Sequence, residues 1–285
     1  MGPSWNLIAD IRELWSFPFM VNAFRAGTIV AVAAATMGWF MVLRRQTFAG
    51  HTLAVIGFPG AAGATLLGVS AIYGYFTFCV AAALVIAVIP RGGHGEFGHE
   101  SAVTGTVQAF ALACGYLFIA LYKGFLNGIN ALLFGTFLGI TTGQVVVLAA
   151  VTVVVLAALA VLGRPLLFAS IDPIVAGARG VPVRAASVAF VVLLGAAVAE
   201  ASQITGTLLV FALLVMPAAT AQALTARPPL SLALAILIAV VVTWLGLGIA
   251  YYSVYPIGFF VTTIAFALYV LAQVTAWLRR VGRLR

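Results

Sequence analysis

The stretch ITGTLLVFALLVMPAATA, residues 204–221, is apolar along most of its length yet carries Gly206, Pro217 and a run of alanine and threonine positions. A helix that only fills a bilayer has no use for a central proline or for so many small residues. Small side chains let neighbouring helix backbones approach closely, and a mid-helix Pro frees a carbonyl and bends the helix. The stretch predicts a helix packed within a bundle and suited to the wall of a pathway.

The surrounding composition sets the class. Of the 285 residues 64% are hydrophobic and 7% charged, with a mean hydropathy of +1.21. A soluble domain has about a quarter of its residues charged, so this chain cannot cover itself with a water-facing surface. We expect an all-α polytopic membrane bundle formed by residues 1–285 as one domain. The net charge of +8 does not point to nucleic acid. Its basic residues lie between or beyond apolar runs, where they set orientation, and no Lys/Arg patch is interleaved with aromatics. Cys79 and Cys114 both fall in apolar segments and read as small core residues rather than a disulfide or metal pair. Trp5, Asp10, Arg12 and Glu13 precede any long apolar run, a pattern unlike a cleavable signal peptide.

Read in order, residues 1–24 form a short amphipathic segment whose Trp5, Ile8, Ile11 and Trp15 suit the membrane interface. Spans are expected at 26–43, 52–70, 71–89, 102–122, 145–162, 185–199, 206–224, 230–251 and 257–277, about nine in all with a range of eight to ten. The polar loop RGGHGEFGHE occupies 91–100. The piece 129–140 is too short to cross alone, since a helical span takes about 20 residues, and reads as a half-helix. Residues 164–184, with Arg164, Asp172, Arg179 and Arg184, form an aqueous loop with helical potential. The tail 278–285 carries Arg279, Arg280, Arg283 and Arg285, which argues for a cytoplasmic C-terminus. Counting back one span at a time places 164–184, His94, His99 and Arg44–Arg45 on the same side, and the N-terminus outside.

Few residues carry chemistry. Glu200 ends an apolar run near the outer end of two consecutive spans. A carboxylate there is costly and faces a cavity or a partner. It reads equally as a cation-attracting group at an outer mouth or as a carboxylate that reaches interfacial water. His51 begins the proline-interrupted span and offers an imidazole suited to a transition metal, or else an interfacial hydrogen bond to backbone. His94, Glu96, His99 and Glu100 are the densest ligand group, but their glycine-rich setting favours a solvated loop. The HExxH pattern, the GxSxG elbow and a Gly-rich phosphate loop with Lys do not occur, so no enzymatic activity is expected. The segment IDPIVAGARGVPV suits a short helix lying across the cytoplasmic face, where a pump without an ATP-binding motif needs a surface to receive force.

Three segments together resemble a known family, the membrane permeases of bacterial ABC importers for zinc, manganese or iron. They are VLRRQTFAGHTLAVIGFPGAAGA at 42–64, FASIDPIVAGARGVPV at 168–183 and the opening ITGTLLVFALLVMPAATA. The first is similar to the family's Arg-rich turn followed by a Pro-Gly helix, here with Pro59 and Gly60. The second is similar to its Asp-Pro-x-x-Ala-x-x-x-Gly coupling segment, and the third to its Leu-Leu-Val-x-Pro-Ala-Ala-Thr-Ala signature.

The resemblance implies a permease subunit in the bacterial plasma membrane, surrounded by membrane lipid. It works with a second permease protomer, cytoplasmic ATP-binding subunits that hydrolyse ATP, and an extracytoplasmic metal-binding protein. A divalent metal ion is then the transported substrate, with no permanently bound cofactor. Asp172, Pro173, Ala176 and Gly180 fall on the coupling motif; Gly206, Met216, Pro217 and Thr220 fall on the pathway-helix signature. One departure matters. Many members have Asp-Ala-Leu-Ser-His-Ala where this chain has His51-Thr52-Leu53-Ala54-Val55-Ile56. His51 stands at the Asp position and Val55 at the His position. An imidazole in place of a carboxylate favours zinc over manganese or iron, and the missing ligand leaves room for a chelated metal or another small solute. A secondary transporter working without ATP is the alternative from another class; it commonly shows inverted repeats, and no convincing repeat is present here.

Overall fold

The computed structural model describes residues 7–88, 97–122, 135 and 139–282. Among these, the long elements are all helices: α1 Leu7–Ser16, α2 Pro18–Leu43, α3 Thr47–Leu66, α4 Ala71–Val88, α5 Phe97–Leu121, α6 Thr142–Ile171, α7 Pro173–Ala178, α8 Val183–Leu224, α9 Pro228–Tyr251 and α10 Ile257–Gly282. Seven stretches within them are long and apolar enough to cross a membrane: Pro18–Leu43, Ala71–Val88, Thr104–Leu121, Thr142–Ile171, Val183–Thr207, Pro228–Tyr251 and Ile257–Arg279. The outer helices turn large apolar side chains such as Phe110, Val154, Val161 and Trp277 outward, as a lipid-facing surface requires.

The innermost part is α8, and it is a hairpin. Its helical hydrogen bonding is interrupted at Gly206, where φ is +70° and ψ 161°. Glycine adopts that conformation without a Cβ clash. The two arms run back along the same neighbours. On the first arm, Phe190 packs on Phe40 with ring centroids 6.4 Å apart, and Ser187 accepts a bond from Arg44. On the second, Gln222 donates to the Trp39 carbonyl at 2.9 Å. Residues 183 and 224, some forty positions apart in the chain, therefore approach the same end of α2. Gly135, with φ +78°, seats its backbone on the apex, where a Cβ would lie 2.2 Å from the Ile204 carbonyl oxygen.

Backbone contact at glycine holds this centre together. A Cβ on Gly38 would sit 1.8 Å from the Leu214 carbonyl oxygen, and one on Gly60 would sit 2.3 Å from that of Gly74. Gly195 meets Cys79 in the same manner at 2.9 Å. In lipid there is no hydrophobic drive between helices, so close packing of small residues carries association. Polar cross-links supplement it: Trp39 Nε1 donates to Ser231 Oγ at 3.0 Å, and Trp244 Nε1 to Thr28 Oγ1 at 2.8 Å. These two pairs set α9 antiparallel to α2.

Several boundaries differ from the sequence-based expectation. The separate helices read on either side of 200–205 are joined by helical residues up to Thr205, and the whole reversal falls on Gly206. The aqueous loop expected over 164–184 shrinks because α6 continues through Pro165 to Ile171; at 30 residues it exceeds the span a bilayer needs. Arg25 lies within α2, which begins at Pro18 rather than 26, and His51 lies inside the first turns of α3 rather than ahead of it. Residues 97–100 of the polar loop open α5. His94, Glu96, most of the half-helix 129–140, residues 1–6 and residues 283–285 lie outside the described residues.

Gly38→Ala forces backbone apart. Overpacking of this kind costs about 1–3 kcal/mol. The variant is expected to unfold at a lower temperature in detergent, whereas Gly177→Ala, whose Cβ meets nothing within 4 Å, leaves the midpoint unchanged or higher.

Candidate functional site

The chemistry-bearing residues occupy three places. The first lies between α3 and the second arm of α8. His51 is half-buried, and its ring meets Phe211 edge-to-face with centroids 4.8 Å apart. Its Nδ1 is buried and has no hydrogen-bond partner among the described residues. Val55, one turn along α3, is also half-buried; residues four apart share a helix face. The second arm answers with Phe211, Val215 and Ala219, half-buried at the same spacing. These two stripes form a partly open apolar face whose single polar group is the His51 imidazole.

The second place is on the opposite side of the first arm. Glu200 is 1% exposed, and its Oε1 accepts from Thr152 Oγ1 of α6 at 2.7 Å. Oε2 is buried without a partner among the described residues. Ser202 also has an unpartnered Oγ, but it faces α3, 3.5 Å from where a Cβ on Gly57 would stand. Positions two apart differ by about 200° around a helix. Glu200 thus looks onto α6 and His51 onto the second arm, and the structure does not bring the two candidate metal residues together. The carboxylate expected at a water-facing mouth is instead enclosed between helices. One turn above it, Gln203, Ile204, Thr141, Gln144 and Leu148 line a cleft of about 220 Å³.

The third place is α7. Asp172 caps it, with Oδ1 accepting from the Ile174 and Val175 amides at 3.0 and 2.9 Å. Pro173 occupies the first helical position, where its missing N–H costs nothing. Ala176 is the residue this helix buries, while Ile174 is 82% exposed. Gly180 ends the motif at φ +81°, a value that favours glycine.

The remaining signature residues are structural. Pro59 packs on Gly115 of α5 and Gly60 on Gly74 of α4. Pro217 is buried within the second arm, half-buried Met216 precedes it, and Thr220 Oγ1 donates to the Met216 carbonyl at 2.7 Å. The pairing of Thr152 with Glu200 was not anticipated; a threonine in an apolar run gives no sign of its partner. Among the described residues no group of three or more His, Cys, Asp or Glu side chains could hold a metal ion.

A multi-pass helical bundle with a central helical hairpin and a short exposed helix between two long ones has the architecture of a membrane permease. The chain belongs to the ABC 3 transport family, whose model matches residues 16–276. It is 29% identical over 249 residues to the manganese transport system membrane protein MntC of Halalkalibacterium halodurans, covering 87% of this chain and 83% of that one. It is 31% identical over 211 residues to the manganese import system permease protein ScaB of Streptococcus parasanguinis, covering 74% of each. The structure of PsaBC from Streptococcus pneumoniae in complex with Fab superposes with a TM-score of 0.82 at 26% identity, over 93% of this chain and 95% of that one.

Thr152→Val strips Glu200 of its one side-chain partner among the described residues, and leaving a buried acceptor unmet costs about 1–3 kcal/mol. The loss is expected in thermal unfolding of the purified protein. It should largely vanish in a Glu200→Leu background, where no acceptor remains.

Proposed function

We propose that this chain is the permease of an ATP-driven importer that moves a divalent transition metal into the bacterial cytoplasm, with manganese the preferred ion. The exposed α7 carries the reading. A six-residue helix with a firm cap, one buried alanine and an isoleucine turned outward is a poor contributor to the bundle and a good knob for a groove on an ATP-binding subunit. It stands at the end of the bundle that also holds Arg44, Arg45, Arg179, Arg184 and Arg227, which the positive-inside rule assigns to the cytoplasm. The same rule favours a cytoplasmic C-terminus.

Nine crossings are the count we favour. The seven long stretches are joined by α3, which runs beside α5 from Phe48 near Gly105 to Gly63 near Phe118, and by the second arm, Leu209–Leu224. The half-buried face of His51, Val55, Phe211 and Val215 then meets a second permease protomer, with the ion passing between them. His51 is its one imidazole contact, and its buried Nδ1 is free to donate a lone pair. An extracytoplasmic binding protein delivers the ion. Glu200 braces the hairpin against α6 rather than meeting the ion. The names of the manganese relatives weigh against the zinc preference that the imidazole alone suggests. A metal chelate remains the second reading, because Val55 supplies no ligand.

Uptake of Mn²⁺ into proteoliposomes holding the permease, its ATP-binding subunit and its binding protein should require ATP. His51→Ala should lower it about tenfold or more, equal to roughly 1.4 kcal/mol; unchanged uptake returns His51 to a packing role. Excess Zn²⁺ that abolishes uptake while itself accumulating would reverse the choice of ion. Ile174→Asp preserves the Asp172 cap and should still prevent co-purification of the ATP-binding subunit.

A further inference from the structure

The ends of the α7 segment are pinned by one guanidinium. Arg44 caps the C-terminal end of α2, and the chain turns there into α3. Arg45 takes φ +56°, and the amides of Arg45 and Gln46 bond to the carbonyls of Val42 and Met41 at 3.1 and 3.0 Å. This paired closure is the one that usually takes glycine in the left-handed position. It leaves Arg45 exposed and sends Arg44 inward, half-buried.

There Arg44 Nη1 donates to Ser170 Oγ at 3.2 Å, Nη2 to Ser187 Oγ at 2.6 Å, and Nε to Gln46 Oε1 at 3.3 Å. Its guanidinium carbon stands 5.4 Å from the Phe190 ring centroid. Ser170 is two residues before Asp172, and Ser187 five after Pro182. One planar group therefore joins the segment on both sides of α7 to the residue that opens α3, five positions before His51. The fork geometry of arginine suits three directed bonds, and a lysine cannot reproduce them.

Resting on the reading of α7 as the ATPase-facing helix, we propose that Arg44 is a positioning residue that transmits movement of the α7 segment to α3 and so couples ATP hydrolysis to displacement of the His51 face. Cutting the link leaves an assembled transporter that hydrolyses ATP without moving its ion.

The test uses the complete complex in proteoliposomes, with Mn²⁺ uptake and ATP hydrolysis measured in the same vesicles. Arg44→Ala should keep hydrolysis within about twofold while Mn²⁺ moved per ATP falls about tenfold, the scale of losing a charge-assisted hydrogen bond. Arg44→Lys should behave alike. The double variant Ser170→Ala/Ser187→Ala keeps the charge, removes both acceptors, and should reproduce the loss; Arg45→Ala, its exposed neighbour, should not. An unchanged ratio in Arg44→Ala overturns the proposal. So does a parallel fall of hydrolysis and uptake in the serine double variant together with a lower unfolding temperature, since a purely structural role predicts that pattern. If the unaltered complex takes up no Mn²⁺ with ATP, the reading of the function fails instead, while the coupling role stands or falls on the ratio with the ion that is carried.

Discussion

The whole bundle depends on one residue that turns the chain back on itself inside the protein. At Gly206 the backbone leaves the helical region for a single position and returns to it. Any larger residue there would meet the penalty of a positive φ. With both arms inside the bundle, most backbone groups of residues 183–224 are bonded within their own helix, which is the condition for burying polypeptide in lipid. The exceptions lie at the ends, at the turn and one turn before Pro217. The turn is also capped from above by the backbone of Gly135.

The hairpin divides the interior into two unlike sides. Toward α3 and the second arm the lining is apolar and only half-covered, with one imidazole. Toward α6 it is closed, and a carboxylate is held by a threonine. A moving ion is served by sparse, weak contact along a path, because a tight ligand cage would hold it. A scaffold is served by enclosure. His51 and Glu200 are alike in carrying a buried polar atom without a partner among the described residues, and they differ in which side of the first arm they occupy.

Much of this was legible in the sequence. The all-helical membrane class follows from hydropathy, and Gly206 and Pro217 stood out because a bilayer-filling helix needs neither. The segment that opens with Asp172 and Pro173 was readable as a short helix, though not the cap that starts it. Glu200 was harder. Its place near the outer end of two consecutive spans suggested a mouth, but whether a carboxylate meets water or Thr152 is decided by a neighbour 48 residues away. The continuation of α6 past Pro165 was hidden for a related reason: proline near a helix end is a probable stop, not a certain one. The link between Arg44 and two serines over a hundred residues on leaves no mark in local patterning at all.

The length of α6 has a mechanical meaning. Thirty residues make a rod of about 45 Å, against about 30 Å of hydrocarbon. The excess makes α6 a rod that joins α7 at one end to the Gly206 turn at the other, where Gln144 and Ile204 line one cleft. A tilt of α6 at the α7 end is therefore carried along the rod to the side chains beside the Gly206 turn.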